Sequence, residues 1–222
     1  MYLLIAATEK ELSALEQVEL SAGGFVKTLV SGVGPLESGV RCTRYLAQHH
    51  KEFKTIVNFG IAGAYRGGAA GQVDMLDICL AEREVLGDFG ICRGEEVVPF
   101  TDVDFEVAAE LNFDGDLVEA ARRTLTAHGI RCSVGTFVTV NAASGTITRG
   151  ASISRRFEAL CENMEGAAIA RACQEFSLPL IEVRAVSNLV EDRPGTAWEI
   201  EKASVRAAQA AALIVKYCPE IL

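Results

Sequence analysis

The chain has 222 residues, of which 50% are hydrophobic and only 7% aromatic, a composition typical of a globular domain with an aliphatic core. The 30 acidic residues outnumber the 21 lysines and arginines and give a formal net charge of −9, which disfavours nucleic acids and anionic membranes as partners. We therefore expect a small-molecule partner.

Six short apolar runs predict strands at residues 2–7, 26–31, 55–59, 76–81, 133–140 and 180–187. Between them, apolar residues at helical spacing predict helices at residues 36–50, 117–128, 164–176 and 197–217. The alternation predicts an α/β fold, a three-layer sandwich whose mixed, largely parallel central sheet carries helices on both faces. With no repeat or linker in view, we expect a single domain over residues 1–222.

The seven cysteines are scattered along the chain and form no Cys-x-x-Cys pair, and there are three histidines. This usage disfavours a zinc site or a disulfide framework and favours a reducing cytoplasm. The apolar N-terminus is short and lacks the basic flank of a secretion signal, and no apolar run is long enough to span a membrane. We expect a cytoplasmic protein without a metal.

Ligands of open α/β sheets collect at the carboxyl ends of the strands. Five polar or glycine-rich segments follow predicted strands and are expected to meet there: residues 8–11, 31–35, 60–64, 141–145 and 188–193. Their glycines match neither the dinucleotide fingerprint nor the P-loop. We interpret them as tight strand-to-helix turns, which let a flat ligand approach the backbone closely.

Glu11 follows Thr8 by three residues, which is the spacing of a capping box at a helix start. The same carboxylate is expected to face the ligand-binding edge, where a helix N-terminus favours its ionised form and suits it to take a proton from water. The local sequence leaves both roles open, helix cap and general base.

Met164 and Glu165 open a helix of small, apolar residues. A carboxylate at that place can accept two adjacent hydroxyls, as a ribose offers them, and the methionine supplies a polarizable surface for the sugar. The alternative is a core methionine beside a solvated glutamate. Glu182 and Arg184, inside the last predicted strand, are a candidate structural ion pair, and Asn188 is also consistent with a turn.

Five motifs in this order resemble the purine nucleoside phosphorylase and nucleosidase superfamily, and the resemblance covers nearly the whole chain. They are Ala-Thr-Glu-Lys-Glu at 7–11, Ser-Gly-Val-Gly at 31–34, Asn-Phe-Gly-Ile-Ala-Gly at 58–63, Asn-Met-Glu-Gly-Ala-Ala at 163–168 and Arg-Ala-Val-Ser-Asn at 184–188. Each motif alone is weak evidence. The resemblance rests on all five motifs occurring in the same order along the chain. The chain is most similar to the nucleosidase branch, which includes methylthioadenosine/adenosylhomocysteine nucleosidase.

The resemblance implies roles by position. A glutamate in the place of Glu11 activates the attacking water, and a Met-Glu pair, matched by Met164 and Glu165, holds the ribose. The adenine-specific enzymes carry an aspartate that protonates N7 where this chain has Asn188. They also carry a glutamate where it has Asn163, and a serine at position 61, where it has isoleucine.

The amide at position 188 indicates a different base. It has no proton to give to an adenine leaving group, but it can donate to the 6-oxo group of hypoxanthine, which leaves more readily as an anion. The segment at 187–193, followed by Trp198, resembles the futalosine hydrolases of menaquinone biosynthesis, which release hypoxanthine from futalosine. That is the predicted function. The alternatives are a methylthioadenosine/adenosylhomocysteine or other purine nucleosidase, a 6-oxopurine phosphorylase, and a non-catalytic nucleoside-binding module.

Water is the expected nucleophile. The resemblance implies that a phosphorylase would surround phosphate with arginines at the first loop, where this chain has Glu9, Lys10 and Glu11. Neither a metal nor another cofactor is implied.

The catalytic candidates are therefore Glu11 and Asn188. The substrate-binding candidates follow the predicted strand ends: Ile61, Ala62, Gly63, Ala143, Ser144, Asn163, Met164, Glu165, Trp198 and Arg193.

Two of these candidates have specific tasks. Arg193, with Arg66 as the second choice, is a candidate cation for the benzoate of futalosine. We expect the Trp198 ring to lie over the purine. The alternative is that Trp198 packs in the hydrophobic core. Because a neighbouring subunit usually closes the site in this branch, we expect a homodimer or a higher homo-oligomer. We predict that residues 89–116, a long segment rich in charged residues and glycine, form the contact between subunits.

Overall fold

The computed structural model of the protein describes residues 1–18, 26–66, 73–94, 96–98, 100, 108–193 and 198–218. The strands in these parts are β1 (Tyr2–Ala6), β2 (Val26–Val30), β3 (Thr55–Tyr65), β4 (Ile78–Leu86), β5 (Ile91–Arg93), β6 (Glu96–Val98), β7 (Glu110–Asn112), β8 (Cys132–Thr139), β9 (Ala159–Asn163) and β10 (Leu180–Val190). The α-helices are α1 (Glu9–Ser13), α2 (Pro35–His49), α3 (Gly115–Ala127), α4 (Ile147–Phe157), α5 (Gly166–Glu175) and α6 (Ile200–Tyr217). Short 3-10 helices follow α1 (Ala14–Gln17) and α2 (His50–Glu52).

Eight strands form one mixed sheet in the order β10-β4-β8-β9-β3-β1-β2, with β7 on β4 and a further pairing of β10 with β3. Five pairings are parallel: β1 with β2 and β3, β3 with β10, and β8 with β4 and β9. The pairings β10–β4, β3–β9 and β4–β7 are antiparallel. Because β3 pairs with both β9 and β10, one part of the sheet curves into a closed ring.

Helices cover both faces of the sheet. Successive residues of a strand point to opposite faces, and β1 shows the result. Leu4 packs in a cluster with α3 and α6, whereas Leu3 and Ile5 pack in a second cluster with α2 and α5. Burying each of these side chains contributes about 2 kcal/mol. The predicted three-layer fold with a mixed, largely parallel sheet is confirmed.

All six predicted strands and all four predicted helices are present in the structure. The interpretation of residues 60–63 as a tight turn is wrong, because β3 continues to Tyr65 through its pairings with β9 and β10. Gly60 instead allows the side chains of Glu11 and Arg184 to pack closely against the backbone of β3. A Cβ there would lie 2.6 Å from Glu11 Oε1 and 2.9 Å from Arg184 Nη1. Gly32 and Gly34 do form a turn, with φ of 83° and 88°.

The sequence did not predict β9, α4 or the short strands β5, β6 and β7. The last three lie in the 89–116 excursion, of which residues 95, 99 and 101–107 fall outside the described parts. The single-domain interpretation stays a prediction, supported by a sheet that joins strands from Tyr2 to Val190. No described helix is long and apolar enough to span a membrane.

Candidate active site

A cavity of about 180 Å³ lies at the carboxyl ends of β1, β8 and β9 and along β3 and β10. The predicted site residues that line it are Glu11, Ile61, Ala62, Gly63, Ala143, Asn163, Met164, Glu165, Asn188 and Trp198. Ser144 and Arg193, the other two candidates, do not line it.

Glu11 combines the two roles that the sequence left open. Its backbone N–H bonds Thr8 Oγ1 at 3.2 Å, and its Oε2 accepts from the Thr8 N–H at 3.0 Å, which completes the capping box of α1. Its Oε1 accepts from the Ile61 N–H at 3.1 Å inside the cavity. Burial raises the pKa of Glu11, although Arg184 and Thr8 act to lower it. Burial therefore outweighs these groups, and the neutral form of Glu11 is favoured more than in a free carboxyl group, contrary to the expectation of a favoured ionised form.

Glu165 is fixed at the N-terminus of α5. Its Oε1 accepts from the Gly34 N–H at 3.1 Å, and its Oε2 lies 3.4 Å from Arg184 Nη1. These bonds join the turn after β2, strand β10 and helix α5 around one buried carboxylate. Met164 is the neighbouring cavity residue, and α5 begins after this pair, at Gly166.

Arg184 is the cation of this site, and its guanidinium is surrounded by acceptors. Nε bonds Glu182 Oε1 at 2.8 Å, which confirms the predicted ion pair, and Nη1 bonds the Ile61 carbonyl at 3.2 Å. Burial opposes its charge, but the carboxylates of Glu182, Glu165 and Glu11 outweigh burial and raise the pKa of Arg184. Among the described residues lining the cavity, it is the one cation.

Asn163 uses its amide within the protein. Its Oδ1 accepts from the N–H groups of Glu165 and Gly166 at 2.9 and 2.7 Å, and its Nδ2 donates to Glu84 Oε1 at 2.5 Å. Its predicted contact with substrate stays a prediction. The contacts show a side chain that positions Glu165 at the start of α5.

Below Gly166 lies a pair of buried acids, Glu84 and Glu182. Burial and mutual repulsion raise the pKa of Glu84, and burial raises the pKa of Glu182 although Arg184 acts to lower it. A Cβ on Gly166 would collide with Glu84 Oε1 and lie 2.7 Å from Glu182 Oε1. The glycine of the Asn-Met-Glu-Gly motif is therefore required by these two carboxyl groups. The sequence did not single out Glu84.

Asn188 lies inside β10 and not in a turn. The register between β3 and β10 shifts at Ser187, so that Val186 pairs with Ala62 and Asn188 with Gly63. A bulge of this kind redirects the side chain that follows it. The Ser187 hydroxyl donates to Asn188 Oδ1 at 2.9 Å. The amide Nδ2 makes a long bond of 3.5 Å to the Leu189 carbonyl and lies close to Gly63, where a Cβ would be 3.1 Å away.

Glu162 is a cavity residue that the sequence analysis missed. It is 95% buried, its Oε1 accepts from the Ser144 N–H at 2.7 Å, and its Oε2 accepts from Ser144 Oγ at 2.7 Å and from Tyr65 Oη at 3.1 Å. Burial raises its pKa, while the Ser144 bonds act to lower it. A carboxylate in an apolar run next to Asn163 was a usable signal, but β9 itself was not predicted. Ser144 thus holds Glu162 from outside the cavity lining.

Trp198 and Arg193 lie at the mouth. Trp198 lines the cavity and keeps 42% of its surface exposed, so the alternative of a core tryptophan is wrong. The Arg193 guanidinium lies over the Trp198 ring, 4.9 Å from its centre. Arg66 is exposed and forms an ion pair with Glu191 at 3.2 Å.

The mixed sheet surrounds a cavity that is lined by the capped Glu11 and by the Met164-Glu165 pair. The phosphorylase superfamily matches residues 11–218, and the chain belongs to it. The chain is 31% identical to futalosine hydrolase of Thermus thermophilus, over 95% of this chain and 93% of that one. It is 27% identical to 5'-methylthioadenosine/S-adenosylhomocysteine nucleosidase of Staphylococcus saprophyticus, over 84% and 79%.

Solved structures share the fold. The nucleosidase of Neisseria meningitidis in complex with methylthio-immucillin-A superposes with a TM-score of 0.80 at 22% identity, covering 97% of this chain and 98% of that one. The native futalosine hydrolase of Helicobacter pylori gives a TM-score of 0.80 at 17% identity, covering 97% of each chain. At these identities the likeness establishes the architecture alone.

Proposed function

We propose that this protein hydrolyses the N-glycosidic bond of futalosine and releases hypoxanthine and dehypoxanthine futalosine. The similarity to the futalosine hydrolase of Thermus thermophilus supports the substrate. The cavity supports the reaction, because a buried carboxylate, a Met-Glu pair and an amide all line it.

The observation that carries the choice of base is the amide of Asn188 in the cavity wall. An amide has no proton to release at neutral pH, so it cannot protonate an adenine as it leaves. Oδ1 is bonded by Ser187 Oγ, and the NH2 group makes one long bond to the Leu189 carbonyl, so its second N–H can donate to O6 or N7 of a 6-oxopurine. That donation stabilises the negative charge that a departing hypoxanthine carries.

Hydrolysis is favoured over phosphorolysis by the charges around the nucleophile. Glu11 and Glu165 both line the cavity, and a phosphate between them would be repelled. Arg184, the cation of the described lining, is already bonded to Glu182 and lies beside Glu165. No guanidinium group there is left to bind phosphate, and water is the nucleophile that these residues accept.

The reaction follows from these positions. Glu165 accepts the ribose hydroxyls, with Met164 against the sugar. The bond from C1′ to N9 breaks and leaves its electron pair on the purine, while the ribose gains oxocarbenium character that the nearby carboxylates stabilise. Water attacks C1′, and Glu11 takes its proton. Hypoxanthine leaves as an anion bonded by Asn188 and is protonated from solvent.

We also infer a homodimer in a reducing, cytoplasmic compartment. Apolar side chains stay exposed near the cavity at Val33, Leu36 and Val40, and Phe89 and Phe100 stay exposed in the 89–116 excursion. Surfaces of this kind commonly mark protein contacts. The seven cysteines are free thiols. The molar mass in solution, measured by light scattering after size-exclusion chromatography, tests this inference. A mass equal to that of one chain would contradict the dimer.

An assay of hypoxanthine release tests the function. Purified protein is given futalosine, inosine or 5'-methylthioadenosine, and released bases are separated by chromatography. We expect hypoxanthine from futalosine at a rate far above that of adenine from 5'-methylthioadenosine. A preference for 5'-methylthioadenosine would show that the inference from Asn188 is wrong.

A further inference from the structure

Helix α5 is capped by side chains other than that of its own N-cap residue. Glu165 occupies the N-cap position, but its carboxylate makes no capping bond and lines the cavity. Asn163 Oδ1 accepts from the N–H groups of Glu165 and Gly166, and Thr139 Oγ1 accepts from the Ala167 N–H at 2.8 Å. The first N–H groups of a helix need such partners. These two side chains therefore fix the start of α5, and with it the place of Glu165.

One buried carboxyl group, that of Glu84 on β4, holds both capping side chains. Its Oε1 accepts from Asn163 Nδ2 at 2.5 Å, and its Oε2 accepts from Thr139 Oγ1 at 2.8 Å. Because Glu84 takes the donor end of the amide, the acceptor end of Asn163 is directed at the helix. Glu84 also takes the hydroxyl hydrogen of Thr139, whose other acceptor, Asn163 Oδ1, is 3.5 Å away. A carboxyl group keeps acceptor positions whether it is ionised or protonated, so this arrangement does not depend on the charge of Glu84.

We propose that Glu84 is a positioning residue: by holding these two capping side chains, it fixes the N-terminus of α5 and thereby the Glu165 carboxylate that receives the ribose hydroxyls. The inference rests on the proposed function for the role of Glu165. Glu84 itself lies below Gly166 and does not line the cavity, so it acts on the substrate through the helix. Hydrogen bonds weaken steeply with small displacements. Loss of the anchor should therefore weaken recognition of the ribose more than recognition of the base.

The ribose hydroxyls themselves provide the probe. Inosine carries both hydroxyls and 2′,3′-dideoxyinosine carries neither, while the base is the same. The ratio of their dissociation constants therefore measures what the hydroxyls contribute to binding. Calorimetry uses Glu11→Gln as the parent protein, so that neither nucleoside is cleaved during the titration. Because bonds to a buried carboxylate are charge-assisted, the parent should bind inosine about 10- to 100-fold more tightly than the dideoxy compound.

Two positions of the network are changed in this parent. Glu84→Met removes both acceptor oxygens at similar side-chain length and should lower the ratio by at least about 5-fold, and Glu84→Gln, which keeps one oxygen, should fall between. Thr139→Val keeps the shape of the side chain but removes the hydroxyl, and should lower the ratio as well. Thr139→Ser keeps the hydroxyl and should leave the ratio unchanged. Glu82→Gln, at an exposed position of the same strand as Glu84, is the matched control and should keep the parent ratio.

A Glu84 that only supports the fold would give a different result. In that case Glu84→Met and Thr139→Val weaken both nucleosides alike and leave the ratio unchanged, which would overturn the proposal while the proposed function stands. Circular dichroism shows whether the variants are folded. Should Glu84→Met not fold, an unchanged ratio in Glu84→Gln would overturn the proposal as well. Equal binding of the two nucleosides by the parent would instead reject the ribose contact of Glu165 in the proposed function, and the inference with it.

Discussion

Thr8 and Glu11 bind each other through both backbone and side chain: the Glu11 N–H donates to Thr8 Oγ1, and Glu11 Oε2 accepts from the Thr8 N–H and hydroxyl. This arrangement uses one carboxylate oxygen for the helix. The other, Oε1, faces the cavity and the Ile61 N–H. The helix cap and the proposed general base thus use different oxygens of one side chain.

Replacing Glu11 by glutamine separates the two roles. Glutamine at this position can keep the capping box with its one oxygen, but its NH2 group then faces the Ile61 N–H, so we expect a modest fall in the melting temperature. It cannot take a proton from water, so we expect kcat for futalosine to fall by about 10²- to 10⁴-fold with substrate affinity retained. Steady-state kinetics and calorimetry measure both. Glu9→Gln, an exposed change in the same turn, is the control, and full activity of Glu11→Gln would leave Glu11 as a cap only.

The pH dependence of kcat/KM follows from the raised pKa of Glu11. A base must be ionised to act, so activity declines as the pH falls through that pKa. Because burial raises it above the ordinary value of 4.5, the acid limb should lie above pH 4.5. Rates measured from pH 4 to 9 test this. An acid limb at or below the ordinary value, in a protein still folded at that pH, would contradict the assignment.

Glu84→Gln should change how stability depends on pH. A carboxyl group whose pKa is raised by folding contributes stability that is complete below its unfolded value and is lost as the pH rises through the folded value. The glutamine has no such loss. The variant should therefore gain stability relative to the wild type as the pH rises through the raised pKa of Glu84.

Urea denaturation of both proteins from pH 5 to 9 measures the difference. Glu201→Gln, at an exposed position of α6, should show a constant difference across the range. A constant difference for Glu84→Gln would mean that Glu84 is not held at a raised pKa. Glu182 and Arg184, which face the same space, remain unchanged in this comparison.

Asn188→Asp should shift the preferred base. A carboxyl group beside Gly63 can carry a proton to N7 of adenine, which an amide cannot. We expect release of adenine from 5'-methylthioadenosine to rise by at least about 10-fold, and release of hypoxanthine from futalosine to fall. The ratio of the two kcat/KM values is the readout. An unchanged ratio would show that position 188 does not choose the base.

Arg193→Ala tests the predicted contact between Arg193 and the benzoate of futalosine. Loss of a charge-assisted contact should raise KM for futalosine by about 10-fold, and inosine, which lacks the benzoate, should be unaffected. Arg66→Ala is the comparison, because Arg66 is engaged by Glu191. If Arg66→Ala raises KM and Arg193→Ala does not, the roles of the two arginines are exchanged.

The sequence predicted the layers well and the polar interior poorly. Periodicity reports burial, so the strands and helices with long apolar patterns were found. Glu84 and Glu162 interrupt apolar runs, and their contacts depend on pairings between distant strands that periodicity does not encode. The bulge that turns Asn188 into the cavity is of the same kind, because it depends on the register of β10 against β3.

The most direct test is the release of hypoxanthine from futalosine in the presence and absence of phosphate. We expect hypoxanthine to be released at equal rates in both conditions, with free dehypoxanthine futalosine as the other product. Release that requires phosphate, or adenine release from 5'-methylthioadenosine without hypoxanthine release from futalosine, would contradict it.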